Sequence, residues 1–502
     1  QRQRQRQRQR QRQRQRQRER DREREREDPD APKPSNHHPD VKRICIADGL
    51  EVGSKKENGV RALGTPIGDQ KYCGDYTLNR YKTKYETLYP SIIALNDPHA
   101  AYRLFRAIDV SSGFTHIMRT TPPSLIEHVF PEIEASRRKF LGTAVFGCVL
   151  TDEEWAIIQL PFGTGWNITP LEILAPCAYL ASLLANRAAI LQLRPEANDR
   201  IEAQIQATIA QILKICPDAK LPELKPTTKQ RELVRACMEA RSEKILADAN
   251  PRTQALLRGQ QQKHASLWKH TASTAEMFTP GDLFRIQAQY SIGHPIFTGK
   301  ELCPSCNKCI LDPYGDHALI CMPDGDVVHR HNDLYQPLIS EARSGMISLS
   351  VESTIQKTES STYRCDFLFS RGIPGYCDQP TLFDVTITCP MNKTTLKRAA
   401  VTDLFSAEAA AARKDGEQLR DLKVLNYDFV PLPFETTGGH TPEVAVLVHY
   451  LAQQKQLMTG IPFGENARRL WELLSVILQR ANAFAIKRRY KQLLSEEDDD
   501  VP

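Results

Sequence analysis

The chain has 502 residues, 25% of them charged, and a formal net charge of +6, which gives it room for about three domains by the usual size range. The charge is uneven: residues 1–28 hold 13 Arg against 6 acidic residues, leaving 54 basic and 55 acidic residues for the remainder. The body is therefore no polycation, which excludes nucleic-acid binding by global charge and leaves it to local patches.

The chain opens with Gln-Arg repeated nine times. Like charges at every second residue repel and nothing apolar is there to bury, so residues 1–40, with the proline-rich stretch at 29–39, are expected to form a disordered repeat and linker. A basic arm on phosphates is the functional alternative for the repeat. Residues 41–216 form the next unit, mainly helical over 81–215 and cut by Pro90, Pro131 and Pro170. Apolar residues recur at three- and four-residue spacing, as from Leu180 through Leu184 to Ile190 and again over 201–215. Three prolines within 217–226 mark a boundary, and 217–295 reads as a helical linker region. The uncharged runs at 155–171 and 173–186 fall short of the roughly 20 apolar residues of a membrane span. Thirteen scattered cysteines, with no secretory signal read ahead of them, suit a reducing compartment. A soluble protein of the nucleus or cytoplasm is expected.

Beyond residue 326 the pattern changes. A helix is predicted at 334–343, then strands at 349–354, 363–370 and 382–388, a helix at 396–413, a strand at 424–434, and helices at 444–457 and 466–490. Helix, three strands, helix, strand over 326–492 describes an α/β sandwich on a small mixed sheet, followed by an acidic tail at 493–502. The predicted fold class is α+β and multidomain.

Between these halves, residues 296–325 carry a cysteine cluster. Cys303 and Cys306 have the two-residue gap that lets both thiolates face one ion, and His317 and Cys321 can come from a single turn. Three sulfurs and one imidazole make a closed tetrahedral site, structural rather than catalytic, and suited to zinc. Cys306 with Cys309 has the same spacing and competes with the first pair.

Two aspartates sit within apolar strands: Asp366 in Tyr363-Arg-Cys-Asp366 and Asp384 in Phe383-Asp-Val-Thr386. Buried charge in a strand is costly unless paired, and a cation would pair it. Phosphodiester cleavage with Mg²⁺ needs converging carboxylates and often a lysine near the attacking water, the arrangement of a PD-(D/E)xK nuclease. Glu352 would complete the acidic set. Thr386 stands where that pattern has its lysine, so Lys414 is the first substitute and Lys397 the second. The plainer alternative is that both aspartates cap strand ends or pair with Arg364.

In order along the chain stand Leu311-Asp-Pro-Tyr-Gly-Asp-His317, Arg330-His331-Asn332, Arg364-Cys-Asp366, Asp384-Val-Thr386, Lys414 and Pro431-Leu-Pro-Phe-Glu435. In that combination, over about residues 59–489, the chain resembles the C-terminal half of polyproteins of non-long-terminal-repeat retrotransposons, which carry a restriction-like endonuclease after their reverse transcriptase. Upstream, Leu63-Gly-Thr-Pro-Ile-Gly68 resembles the segment after the polymerase palm, and Leu160-Pro-Phe-Gly-Thr-Gly165 the start of the helical thumb.

The resemblance implies that Asp366 and Asp384 hold Mg²⁺, that Lys414 orients or activates water, and that Glu352 is auxiliary. It implies contacts to target DNA from Arg330, His331 and Asn332, and admits element RNA as a second partner. Lys487, Arg488 and Arg489 are read as a phosphate-binding patch or, with equal weight, a solvated helix end. The implied activity is nicking of DNA whose new 3′ hydroxyl primes reverse transcription. No paired-aspartate polymerase motif precedes residue 63, so no DNA synthesis is expected from this chain. The alternative is a catalytically inactive nucleic-acid-binding remnant.

Overall fold

The structure, a computed structural model, describes residues 59–109, 112–271, 274–358 and 361–499. The expectations for residues 1–58, the arginine repeat included, lie outside this range. The chain is an α+β protein, mostly helical, with small sheets.

It begins with a hairpin, β1 (Gly59–Ala62) against β2 (Thr65–Gly68), which the hydrophobic pattern did not reveal. Leu63 and Gly64, both at positive φ, make the two-residue turn that matches strand twist. Helix α1 (Gln70–Lys84) follows, its first turn capped by Asp69, which accepts the Tyr72 N–H. Five helices then come in short pieces: α2 (Tyr89–Ala94), α3 (Pro98–Asp109), α4 (Ser112–Thr120), α5 (Phe130–Leu141) and α6 (Asp152–Gln159). Pro90 and Pro131 sit in the first turns of α2 and α5, where a missing N–H costs nothing. Their aromatic faces meet in one core around Tyr81, Tyr102, Phe105, Phe140 and Trp166.

Helix α7 (Leu171–Leu193) packs with α8 (Asn198–Ile215) and α9 (Gln230–Asp248) through Leu180, Leu184, Ile205, Ile212 and Leu233. The expectation that no segment has the length of a membrane span is corrected here. By length and composition α7 is long and apolar enough, and half of its apolar window is buried inside the protein.

Residues 217–295 are packed rather than strung between units. Helix α10 (Pro251–Gln261) places Leu257 in the first core and Ala255 and Leu256 in the cluster under the cysteines. Helix α11 (Gly281–Ser291) does the same with Phe284 and Tyr290.

After the cysteine-bearing loops comes α12 (Asp326–Ser344), longer than predicted, so that Arg330-His331-Asn332 lies on a helix. The first predicted strand is broken: Glu352, at φ 52°, separates β3 (Leu349–Val351) from β4 (Thr354–Thr358). Strand β4 pairs with β5 (Ser361–Arg364) as a separate hairpin. The main sheet has the order β3, β6 (Phe367–Phe369), β7 (Thr381–Thr388), β8 (Asp428–Glu435), antiparallel except for the parallel β7–β8 pair. Phe383 and Val385 of β7 face α12, α15 (Pro442–Thr459) and α16 (Phe463–Asp499). Leu382 faces the other way, toward Tyr363, Leu422 and Phe429. The predicted helix at 396–413 is two helices, α13 (Leu396–Ala399) and α14 (Phe405–Val424), with Leu404 at φ 56° between them. Alanine-rich periodicity carries no mark of that reversal.

Candidate metal centre and acidic site

Cys303, Cys306, His317 and Cys321 each offer one ligand atom, and these atoms lie within 4.8 Å of one another. Cys303 Sγ is 3.8 Å from Cys321 Sγ, and Cys306 Sγ is 3.5 Å from His317 Nε2. A tetrahedron with Zn–S near 2.3 Å and Zn–N near 2.0–2.1 Å has S–S edges of about 3.8 Å and S–N edges of about 3.5 Å. The donor set therefore fits a zinc-sized ion. Cys309 is exposed and outside the quartet; its carbonyl instead accepts the Cys303 N–H at 2.8 Å. Burial opposes the Cys306 thiolate, but the backbone N–H groups of Lys308 and Cys309 and the His317 ring bring its thiol below the ordinary value. Burial pushes the Cys321 thiol up, the cost a bound cation would remove.

The loop between the ligand pairs explains its own sequence. Asp312 accepts the backbone N–H groups of Tyr314, Asp316 and His317 at 2.9, 3.0 and 2.6 Å. Gly315 takes φ 89° with Ile486 of α16 close by, so a side chain there would be strained and crowded. Asp316 grips Arg252 of α10 through two bonds of 2.6 and 2.9 Å and accepts the Tyr290 hydroxyl. The loop is thus bolted to α10 by a bidentate pair and to α11 by the Tyr290 hydroxyl.

The acidic site lies where β5, β6 and β7 meet α12 and α14. Asp366 Oδ2 accepts the Val385 N–H at 2.6 Å, beside Asp384, and lies 3.1 Å from His331 Nε2. That nitrogen is also 3.0 Å from the Val385 carbonyl oxygen. Burial works against a charged His331, but Asp366, Asn332 and the Val385 carbonyl together raise its imidazole above the ordinary value. Asp384 Oδ2 accepts from Lys414 Nζ at 2.7 Å and from the Tyr363 hydroxyl. After burial, Asp384 and Asp366 are among the charges that raise the Tyr363 hydroxyl, which puts both carboxylates on one group. Among the described residues no hydrogen bond reaches Oδ1 of either aspartate.

Of the two candidate lysines, Lys414 reaches Asp384 from α14, whereas Lys397 on α13 is exposed. Glu352 donates its backbone N–H to the Asp366 carbonyl at 2.7 Å, but its carboxylate turns outward to Arg364 at 2.6 Å. It does not join the two aspartates. Thr386, in the lysine's usual place, has a buried hydroxyl without a hydrogen-bond partner among the described residues.

The expected DNA contacts are corrected in two places. Arg330 is buried and donates to Asn482 at 3.1 Å and to the Leu319 carbonyl at 2.8 Å. Arg489 is fully buried and ion-paired with Asp326. Neither offers its guanidinium to a phosphate in this arrangement. Arg488 also pairs with Asp326, at 3.0 Å, and Lys487 pairs with Asp282. His331 serves Asp366, and Asn332 lies 3.2 Å from His331 Nδ1. Tyr363 was missed; its only signal is its place three residues before Asp366 in the same apolar run.

No family model matches the chain, and no curated protein matches it.

Proposed function

We propose that this chain is a retroelement-derived, Mg²⁺-dependent DNA endonuclease of the restriction-like type, with Asp366 and Asp384 as the ion's ligands. One observation carries the reading: two aspartates on adjacent strand segments share one neighbourhood, each with one carboxylate oxygen fixed and the other unclaimed, and a lysine stands at the second. Mg²⁺ is commonly bound by one or two carboxylates together with waters and phosphate oxygens, so this pair suffices. When bound, the ion supplies Lewis acidity to the scissile phosphate and lowers the pKa of a bound water.

The chain's own groups do the remainder. The Val385 N–H and His331 fix the rotamer of Asp366; Tyr363 fixes Asp384. Lys414 holds its ammonium at Asp384 Oδ2, where it can orient a water and offset charge that develops on phosphate. Zinc at the cysteine quartet would tie α10, α11 and α16 to the base of α12, and so set the position of His331.

The test is nicking of supercoiled plasmid with Mg²⁺ by wild type, Asp384→Ala, Asp366→Ala and Lys414→Ala. Each substitution is expected to cost about 100-fold or more in rate, the scale of losing a group that acts on the transition state. Wild-type nicking in Asp384→Ala overturns the assignment. The second reading, an inert nucleic-acid-binding remnant, is favoured by the Lys414–Asp384 ion pair, which neutralises that carboxylate without a metal. It predicts no cleavage by wild type at all.

A further inference from the structure

At the end of α5 the chain makes one wide helical turn, Gly142–Phe146, closed by Gly147 at φ 67°. Its carbonyl at Gly142 accepts the Cys148 N–H at 3.0 Å, and the half-buried Cys148 lines a cleft of about 500 Å³. That volume lies within the about 300–1,000 Å³ usual for ligand sites. A β-carbon at Gly142 would come within 2.7 Å of the Cys148 carbonyl oxygen, so the turn that presents the thiol admits no side chain there. Trp155 and Leu150 give the cleft an apolar floor, and Thr143 adds a hydroxyl. Charge in the lining is mostly spent: Glu134 pairs with Arg137, and Arg138 pairs with Asp152. Lys139 is exposed and has no ion pair among the described residues.

Two groups stand behind the thiol, outside the cleft's lining. His294 follows α11, its backbone N–H on the Gln289 carbonyl at 3.0 Å after Gly293 at φ 72°. Its Nδ1 lies 2.7 Å from Glu154 Oε1, and its ring also hydrogen-bonds the Cys148 side chain. Glu154 is buried and locked by its own helix, because its Oε2 accepts the Thr151 N–H at 2.8 Å in the capping box that starts α6. The Cys148 side chain first, and Glu154 second, raise the His294 imidazole to about 10 against the effect of burial, so the ring is charged at neutral pH. A nucleophile, a base and a group that orients the base are thus drawn from three separate segments, in the order that activates a thiol. Acyl transfer would need N–H donors aimed at an oxyanion, and the Cys148 N–H is already committed to Gly142. Thiol–disulfide exchange needs none.

We propose that Cys148 is a site of reversible mixed-disulfide formation with a small, carboxylate-bearing disulfide of the glutathione class, with His294 as the base beside the thiol and Lys139 as the docking cation. The Cys148 sulfur, its proton held by His294, attacks one sulfur of the ligand's disulfide. The new S–S bond forms as the old one breaks, and the departing sulfur leaves with the electron pair and takes up that proton. Cys148 is thereby oxidised to a disulfide and one half of the ligand is reduced to a thiol, and a thiol of the same class reverses the step. The site stands apart from the nuclease reading and shares no residue with it or with the cysteine quartet.

The experiment incubates the full chain, supplied with zinc, with oxidised glutathione at neutral pH and follows modification of Cys148 and of Cys309 by peptide mass spectrometry. Cys309 is exposed and serves as the ordinary accessible thiol. Cys148 is expected to react about tenfold faster than Cys309, although it is the less exposed of the two, and reduced glutathione should restore it. His294→Gln should bring Cys148 down to the Cys309 rate or below and leave Cys309 unchanged. Lys139→Gln should slow Cys148 about threefold with oxidised glutathione and not at all with the uncharged disulfide of mercaptoethanol, a split that a merely structural role would not give. A wild-type Cys148 no faster than Cys309 overturns the proposal without requiring any variant to fold. So does an unchanged Cys148 rate in His294→Gln with native circular dichroism. Equal rates for Lys139→Gln and wild type with oxidised glutathione would strike the carboxylate from the ligand class.

Discussion

Four ligand atoms within 4.8 Å of one another, two pairs of them at the edge lengths of a zinc tetrahedron, cost little to assemble when the ion arrives, whereas donors held that close without one repel or stay protonated. Burial raises the Cys321 thiol and the nearby Cys303 adds to it, whereas Cys306 is lowered by N–H groups of its own turn. Metal analysis should therefore find about one zinc per chain, lost in Cys303→Ser and retained in Cys309→Ser. Zinc that survives Cys303→Ser would move the site to the Cys306–Cys309 pair. The quartet was legible because ligand spacing is a local property of the chain. The corrections at Arg330 and Arg489 have the opposite origin. Whether an arginine meets phosphate or a buried carboxylate depends on Asp326 and Asn482, more than 150 residues from their respective partners in sequence, and no local pattern reports that.

At the scale of elements, periodicity located most helices and the strands of the main sheet, but not their breaks. Glu352 and Leu404 both adopt positive φ, and nothing in either side chain announces a residue that tertiary packing has forced into that region. Lys414 belongs to the same class: its helix was readable, while its phase relative to β7 depended on the turn at Leu404. Gly259 shows the reverse, a residue that looks like a helix breaker yet sits inside α10 because of what lies opposite. A β-carbon there would come within 2.2 Å of Thr437 Oγ1, in the turn after β8. Gly259→Ala should cost about 1–3 kcal/mol despite the better helix propensity of alanine, as overpacking does. Thermal unfolding checks this, and a raised Tm would show that Thr437 moves aside freely.

At the scale of the molecule, one junction between the helical half and the sheet-bearing half is built on a buried lysine. Lys269 is fully buried and donates to the Gly165 carbonyl and to Gln260 of α10, both at 3.0 Å, between Trp166 and Trp268. Trp268 in turn donates its backbone N–H to Ser475 of α16. No carboxylate pairs with the ammonium among the described residues, and burial lowers the group from 10.5 to about 7. The unfolded chain binds that proton up to about pH 10.5, while the folded chain releases it from about pH 7 upward. Between those limits the unfolded state holds more protons, so this group's contribution to stability rises with pH, by at most about 1.4 kcal/mol per unit. Below about pH 7 both states are charged and the contribution is flat at its least favourable. Lys269→Met removes the titration and leaves Gly165 and Gln260 without a donor, a cost that does not vary with pH. The gap in denaturation midpoint between wild type and Lys269→Met should therefore widen in favour of wild type from pH 7 to pH 10. A gap that stays constant across that range would mean that Lys269 keeps its proton in the folded protein, and that the junction between the two halves tolerates a buried charge.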